Sequence, residues 1–301
     1  NVESIKDGAM TYEIGGRIES TQLTPENRND VSYIPLSGSL SAAWEVNAHN
    51  KVDVALTHTQ RAPQIQELFS DGFHFATRSY EIGNAHLNKE LSTNLDLSYQ
   101  FNASWVRADV SVFHHWVSDY IYQRDSAQLF DAQNAQLIAS DLACDHCFPL
   151  LYTQQQAAMF KGFEAKTVFP LMDNKLGLVD LTLFGDYTRG TFDKGGDVPR
   201  MPPLRYGVQV SYDKNEWSSH VRLTRGEAQT HTGDNETTTP AYLLLNLGTQ
   251  YNIAHFTQAD IVLFAKGKNL LDETIRSSVS YLRNFAPDAG RSAEVGIRVS
   301  Y

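Results

Sequence analysis

Cysteine, methionine and long apolar runs are what this chain has least of. Its 301 residues include 2 Cys and 4 Met, and no run of 18 or more apolar residues occurs anywhere. A transmembrane helix is thereby excluded. Membrane-spanning strands are not, because such a strand shows an apolar residue only at every second position. The opening residues, NVESIKDGAM, have neither the charged start nor the apolar centre of a secretory signal peptide. A processed or truncated chain has that character, and so does a cytoplasmic one. Positive charge is also in deficit: 25 Lys and Arg stand against 35 Asp and Glu, for a net charge of −10. That balance argues against a nucleic-acid partner and suits cations. There is no Gly-rich phosphate loop, no nucleophile elbow and no His-Glu-x-x-His helix, so nothing points to an enzyme.

What the chain does have is aromatic residues, 14 Tyr, 15 Phe and 4 Trp, and a persistent two-residue alternation. In RSAEVGIRVSY, Ala293, Val295, Ile297, Val299 and Tyr301 share one face, and Ser292, Glu294, Gly296, Arg298 and Ser300 the other. NLDLSYQF, RADVSVFHHW, LVDLTLFGDY and RYGVQVSY repeat the pattern. About twelve such segments of roughly 10 or more residues occur, the length a tilted strand needs to cross a bilayer. They span 9–20, 33–48, 51–62, 91–103, 106–122, 159–170, 176–189, 204–213, 217–226, 241–253, 259–270 and 291–301.

Short polar turns such as NAHNK and YDKNEW alternate with long polar loops at 21–32, 63–90, 123–158, 190–203, 227–240 and 271–290. That rhythm predicts an up-and-down barrel with tight periplasmic turns and long external loops, its last strand bringing Tyr301 to the periplasmic side. The inner faces would carry Arg17, Glu19, Asp96, Asp109, Asp186, Arg205 and Arg222, with aliphatic residues and Tyr outside. Trp44, Trp105, Trp116, Tyr120, Tyr122, Trp217 and Phe256 fall near strand ends, where interfacial girdles belong. The same periodicity would also let two sheets pack their apolar faces together as a soluble sandwich.

Two stretches go beyond pattern. TQRAPQIQELF, followed by EIGNAHLNKELSTNLDLSY, resembles a paired box of TonB-dependent outer-membrane receptors. KGKNLLDETIRSSVSYLRNFAPDAGRSAEVGIRVSY is similar to their C-terminal segment. The resemblance implies an all-β, transmembrane antiparallel β-barrel of 22 strands plugged by an N-terminal domain. Residues 1–301 would then be its C-terminal part, with the plug and the box that engages the TonB energy-coupling protein outside the chain. Outer-membrane lipid and lipopolysaccharide would surround it. Within the class, QELFSDGFHFATRSYEIGNAHLNKE is closest to the zinc-uptake receptors, in which the position of His74 ligates zinc. Zinc would be the transported substrate, with no catalytic cofactor, and the remaining ligands would come from the plug and an earlier barrel segment. Haem or metallophore receptors are the alternative inside the class, since haem receptors also place a histidine between these boxes. A passive porin or surface adhesin is the alternative outside it.

His74 as a ligand makes chemical sense, because a neutral imidazole suits borderline Zn²⁺. His86 is a weaker candidate that sits where a turn histidine would also sit. CDHCFPLLY holds both cysteines, as Cys144 and Cys147 around Asp145 and His146. The two thiolates and the His146 imidazole would make a zinc-capture set, or the cysteines would close a disulfide in an oxidising compartment. Glu67, Asp71 and Glu81 are either oxygen ligands or solvated loop acids. His114 and His115 take opposite faces of one strand, and His220 and His231 are expected to be structural or solvated.

Overall fold

A computed structural model describes residues 2–26, 28–139, 144, 146–256 and 259–300. The elements in order are β1 (Val2–Asp7), β2 (Met10–Ile18), β3 (Thr21–Leu23), β4 (Val31–Tyr33), β5 (Leu36–Asn47) and β6 (Asn50–Arg61). Then come α1 (Ile65–Phe69), β7 (Asp71–His74), β8 (Ser79–Ile82), β9 (Glu90–Ala103), β10 (Val106–Asp131), β11 (Gln136–Ala139) and β12 (Cys147–Asn174). The chain continues through β13 (Gly177–Phe192), β14 (Arg205–Lys214), β15 (Trp217–Gly226), β16 (Tyr242–Phe256), β17 (Ala259–Lys268) and β18 (Ser292–Ser300). Thirteen strands form one antiparallel meander, ordered β1-β2-β5-β6-β9-β10-β12-β13-β14-β15-β16-β17-β18. Among the described residues no helix is long and apolar enough to cross a membrane.

The register carries the alternation across the wall. Ala42, Val54, Leu97, Val112 and Phe163 are successive cross-strand partners and form one apolar row. One position along, Asp53, Ser98, Ser111, Glu164, Asp186 and Arg205 form a polar row on the other face. The apolar row is not packed under a second layer: Leu97 and Val112 are each 45% exposed and Val295 is 81% exposed. A sandwich would bury these side chains. A lipid-facing wall leaves them outside, with ion pairs such as Arg205–Asp186 (2.8 Å) on the polar side.

The structure adds to the expected strands and corrects two features. β1, too short and too charged to read from its pattern, precedes the first predicted strand and pairs along β2. The region 123–158 is not a loop throughout, since β10 runs 26 residues and β12 runs 28, pairing as far as Asp131 and Cys147. At roughly 3.3 Å per residue such strands far exceed a bilayer core of about 30 Å, so the hairpin stands well clear of it. Three consecutive glutamines, Gln154, Gln155 and Gln156, interrupt the apolar alternation there. Tyr120 and Tyr122 are not girdle residues. A register shift between Val117 and Tyr120 turns them inward, where Tyr120 packs on Phe160 and Tyr122 on Phe192. Trp44, Trp105, Trp116 and Trp217 are exposed, as girdle residues should be. Tyr301, and the side chain of Phe256, lie outside what is described.

On the inner face, aromatic rings lie over glycines of the neighbouring strand. Phe113 covers Gly162, Phe184 covers Gly207, His220 covers Gly248 and Phe264 covers Gly296, each pair directly opposite in register. A Cβ at Gly207 would lie 2.6 Å from Phe184 Cζ. That ring in turn carries the Arg222 guanidinium at 3.6 Å. Gly207→Val should therefore cost about 1–3 kcal/mol of wall stability by overpacking. The expected result is a lower unfolding temperature for the heat-modifiable form on gels.

Candidate functional site

The stretch between β6 and β9 is held down by ions. Arg61 donates to both Glu67 oxygens, at 2.8 and 3.1 Å, and to Glu90 at 3.2 and 3.4 Å. Glu67 also accepts from the Gln64 amide at 2.7 Å, which caps α1, and Glu90 accepts from the Ile121 amide at 2.8 Å. The residues of the Arg-Ala-Pro and Glu-Leu boxes thus tie the ends of the loop to the barrel rim. Beneath them Leu68, Leu87 and Ile121 form a small buried cluster. Gly83 passes so close to α1 that a Cβ would lie 2.6 Å from the Leu68 carbonyl carbon.

From this base springs a hairpin where the sequence reading expected irregular loop. β7 and β8 pair Phe73 with Tyr80 and His74 with Ser79, and β8 adds in parallel to β12 at Leu150, Leu151 and Tyr152. The edge of β12 is free there because β13 pairs no higher than Ala158. One side of the hairpin is aromatic: Phe73 packs edge-on to Tyr80, Phe130 and Phe148, and Tyr80 stacks on Phe130 at 4.0 Å. By alternation the other side carries Ser79, Glu81 and His74.

On that polar side His74 Nδ1 lies 2.9 Å from Glu81 Oε1. Thr77 Oγ1 and Ser79 Oγ donate to the same oxygen at 2.9 and 3.0 Å. Glu81 is 7% exposed. Burial, the largest single effect, pushes its carboxyl up, but donors from His74, Thr77, Ser79 and Gln123 together hold it below the usual range. His74 itself is half exposed and lines a cavity of about 470 Å³ with Glu81, Gln64, Glu67, Tyr120, Gln123, Arg200 and Tyr281.

Other loops close around this cavity. Arg78 lies over the Phe285 ring at 4.3 Å and Arg200 over Tyr281 at 4.2 Å. Tyr281 donates to Gln123 Oε1, and buried Glu236 accepts from Arg283 and from the Arg200 amide. The segments 63–90, 190–203, 227–240 and 271–290 are thereby joined through a few charged groups. A second hollow of about 390 Å³ on the inner wall is lined by Asp109, Glu164, Lys166, Asp186, Arg205 and Arg222. Of these, Arg205 and Asp186 already bind one another.

The remaining sequence candidates are scattered. Among the described residues His86 is held through its amide, on Asn84 Oδ1, and does not line the His74 cavity. Cys144 and Cys147 are joined in a disulfide at the tip of the long hairpin. His146 Nε2 sits 3.2 Å from the buried Asp131 carboxylate, and Asp131, Cys144 and His146 place ligand atoms within 4.8 Å of one another. The sulfur there is a disulfide sulfur and not a thiolate, so the two-thiolate capture set does not exist in this state. Asp145 lies outside the described residues. Glu67 is consumed by Arg61, Asp71 accepts from the Tyr80 hydroxyl at 2.9 Å, and His231 faces Asp197 at 3.6 Å. His115 turns inward to Asp96 at 3.2 Å, while His114 packs on Trp116 on the opposite face. Sequence reasoning overlooked Thr77, Ser79, Gln123 and Tyr281. Only the spacing of Ser79 and Glu81, two apart, hinted that they share a face.

An antiparallel wall with an exposed apolar face, a polar interior and loops gathered over one mouth is the architecture of a transmembrane β-barrel. Residues 4–270 match the family described as TonB dependent receptor-like, beta-barrel. The chain belongs to that outer-membrane family. Among solved structures it is similar to the copper transporter OprC, at TM-score 0.76 and 16% identity, over 97% of this chain and 45% of that one. It also resembles the FrpB iron transporter from Neisseria meningitidis (F3-3 variant), at 0.68 and 11%, over 98% and 44%. A third is the siderophore receptor PirA from Acinetobacter baumannii, at 0.63 and 16%, over 99% and 44%. The chain spans less than half the length of these structures.

Glu236 is the test of the loop assembly. Glu236→Ala leaves the Arg283 guanidinium, 7% exposed, without its carboxylate. Breaking one partner of a buried pair costs about 3–5 kcal/mol. Hydrogen exchange should accelerate across 227–240 and 271–290 while the strand amides stay protected.

Proposed function

We propose that this chain is the C-terminal barrel portion of a TonB-dependent receptor that takes up zinc ions across the outer membrane. His74 is one ligand of the zinc it captures. The supporting observation is the placement of His74: an imidazole on a docked hairpin, at a cavity over the barrel mouth, with one ring nitrogen engaged by a buried carboxylate. That leaves Nε2 as the nitrogen for a metal, and neutral imidazole is a good zinc donor. A complete site needs three or four ligands, so the others come from plug and barrel segments beyond this chain. TonB engages the receptor through that plug, and the pull it transmits supplies the energy of release. Membrane lipid and lipopolysaccharide cover the apolar wall. The Cys144–Cys147 disulfide is read as a staple of the loop tip.

Calorimetric titration of the full-length receptor with Zn²⁺ tests this. His74→Ala should weaken binding by more than about tenfold, beyond what loss of an outer-sphere contact alone produces at its mildest. Unchanged affinity removes His74 from the site. A Soret shift on adding haem, lost in the variant, would move the assignment to haem. Tighter binding of Cu²⁺ than the general preference of imidazole sites for copper accounts for would move it to copper.

A further inference from the structure

Glu81 is an odd residue to bury in an external loop, because a carboxylate taken from water needs compensating donors. The hairpin supplies them from one face. Pairing of His74 with Ser79 sets Glu81 diagonally across from the imidazole, on the same side. Its backbone is held on both edges, by Gly72 of β7 and Leu151 of β12. The aromatic contacts of Phe73 and Tyr80 with Phe130 and Phe148 fix that side inward toward the cavity. Three donors, His74 Nδ1, Thr77 Oγ1 and Ser79 Oγ, then converge on a single oxygen at 2.9, 2.9 and 3.0 Å.

We propose that Glu81 is the positioning residue for His74: by accepting the Nδ1 proton it sets the ring's tautomer and plane and presents Nε2 to an incoming divalent cation. The inference rests on the reading of His74 as a ligand. The carboxylate takes no place in the coordination shell. It makes Nε2 the lone-pair nitrogen and puts a negative charge one ring away from the cation. Thr77 and Ser79 hold the carboxylate in line, and Gln123, itself bonded by Tyr281, links the pair to segment 271–290.

The experiment uses the full-length receptor and Zn²⁺, with ¹⁵N-histidine spectra of the metal-free protein as the second readout. Glu81→Leu should lose the Nδ1–H tautomer of His74 and weaken zinc binding about 10–100-fold. Glu81→Gln, which retains an acceptor oxygen but no charge, should keep the tautomer and restore part of the affinity. The double variant Thr77→Val/Ser79→Ala loosens the same loop face while leaving the ring contact, and should keep the tautomer. If Glu81→Leu retains wild-type tautomer or wild-type affinity while His74→Ala loses binding, the positioning role is overturned and the ligand reading stands. If His74→Ala binds zinc as the wild type does, both fall. If the double variant loses affinity and tautomer as fully as Glu81→Leu does, the effect is loop collapse and the positioning role is overturned.

Discussion

The hydrocarbon core of a bilayer offers no water, so a backbone amide or carbonyl inside it must find its partner in the protein. The continuous antiparallel ladder of this chain meets that demand on both edges of each wall strand between β1 and β18, and most of the rest follows from it. Pairing in register puts Val54 beside Leu97 and Val112, and Ser98 beside Ser111 and Glu164. Lipid then accepts the apolar rows without a second protein layer, and the polar rows turn to the interior. Ordinary soluble proteins reverse this arrangement, which is why the exposure of Leu97, Val112 and Val295 carries such weight.

Above the membrane the constraint is lifted and different devices take over. The β10–β12 hairpin continues with glutamines and bulges where lipid no longer dictates side-chain choice. Its open edge is covered by β8, and the aromatic cluster around Phe73 anchors that cover. Charged groups then do for the loops what hydrogen-bonded ladders do for the wall. Arg61 fastens the base of one loop, and Glu236 fastens two others together. His74 inherits its rigidity from these attachments, since its own hairpin is only a few residues long.

Single residues show where sequence reasoning succeeds and where it stops. The parity of Asp96, Asp109 and Arg222 was readable because two-residue alternation is a local property, and the structure keeps it. The parity of Tyr120 and Tyr122 was not. One irregularity near Asp119, whose φ is +55°, slips the count and carries both rings from the expected outer girdle to the inner face. Residues 123–158 read as loop because polar residues at both parities, Gln154, Gln155 and Gln156 among them, break the alternation, and what buries Leu150 and Leu151 is β8, which pairs there only once the loop docks. Phe113 over Gly162 and Phe184 over Gly207 were equally invisible, for the partners stand some fifty and twenty-three residues apart and only register brings them together.

The sequence by itself determined the alternating wall, the order of short turns and long loops, and the presence of His74 and His86 among residues that resemble the boxes of a receptor family. The first two rest on spacing along the chain and the third on a resemblance of residues, and both are properties of the unfolded chain as much as of the folded one. Only the tertiary structure decided that Glu81 stands behind His74, that Glu67 is spent on Arg61, and that His86 stays apart. Glu67, Asp71 and Glu81, three acids within one loop, look alike in sequence. Their roles diverge because hydrogen-bond partners are assigned by how a loop docks, and docking depends on strands distant in the chain.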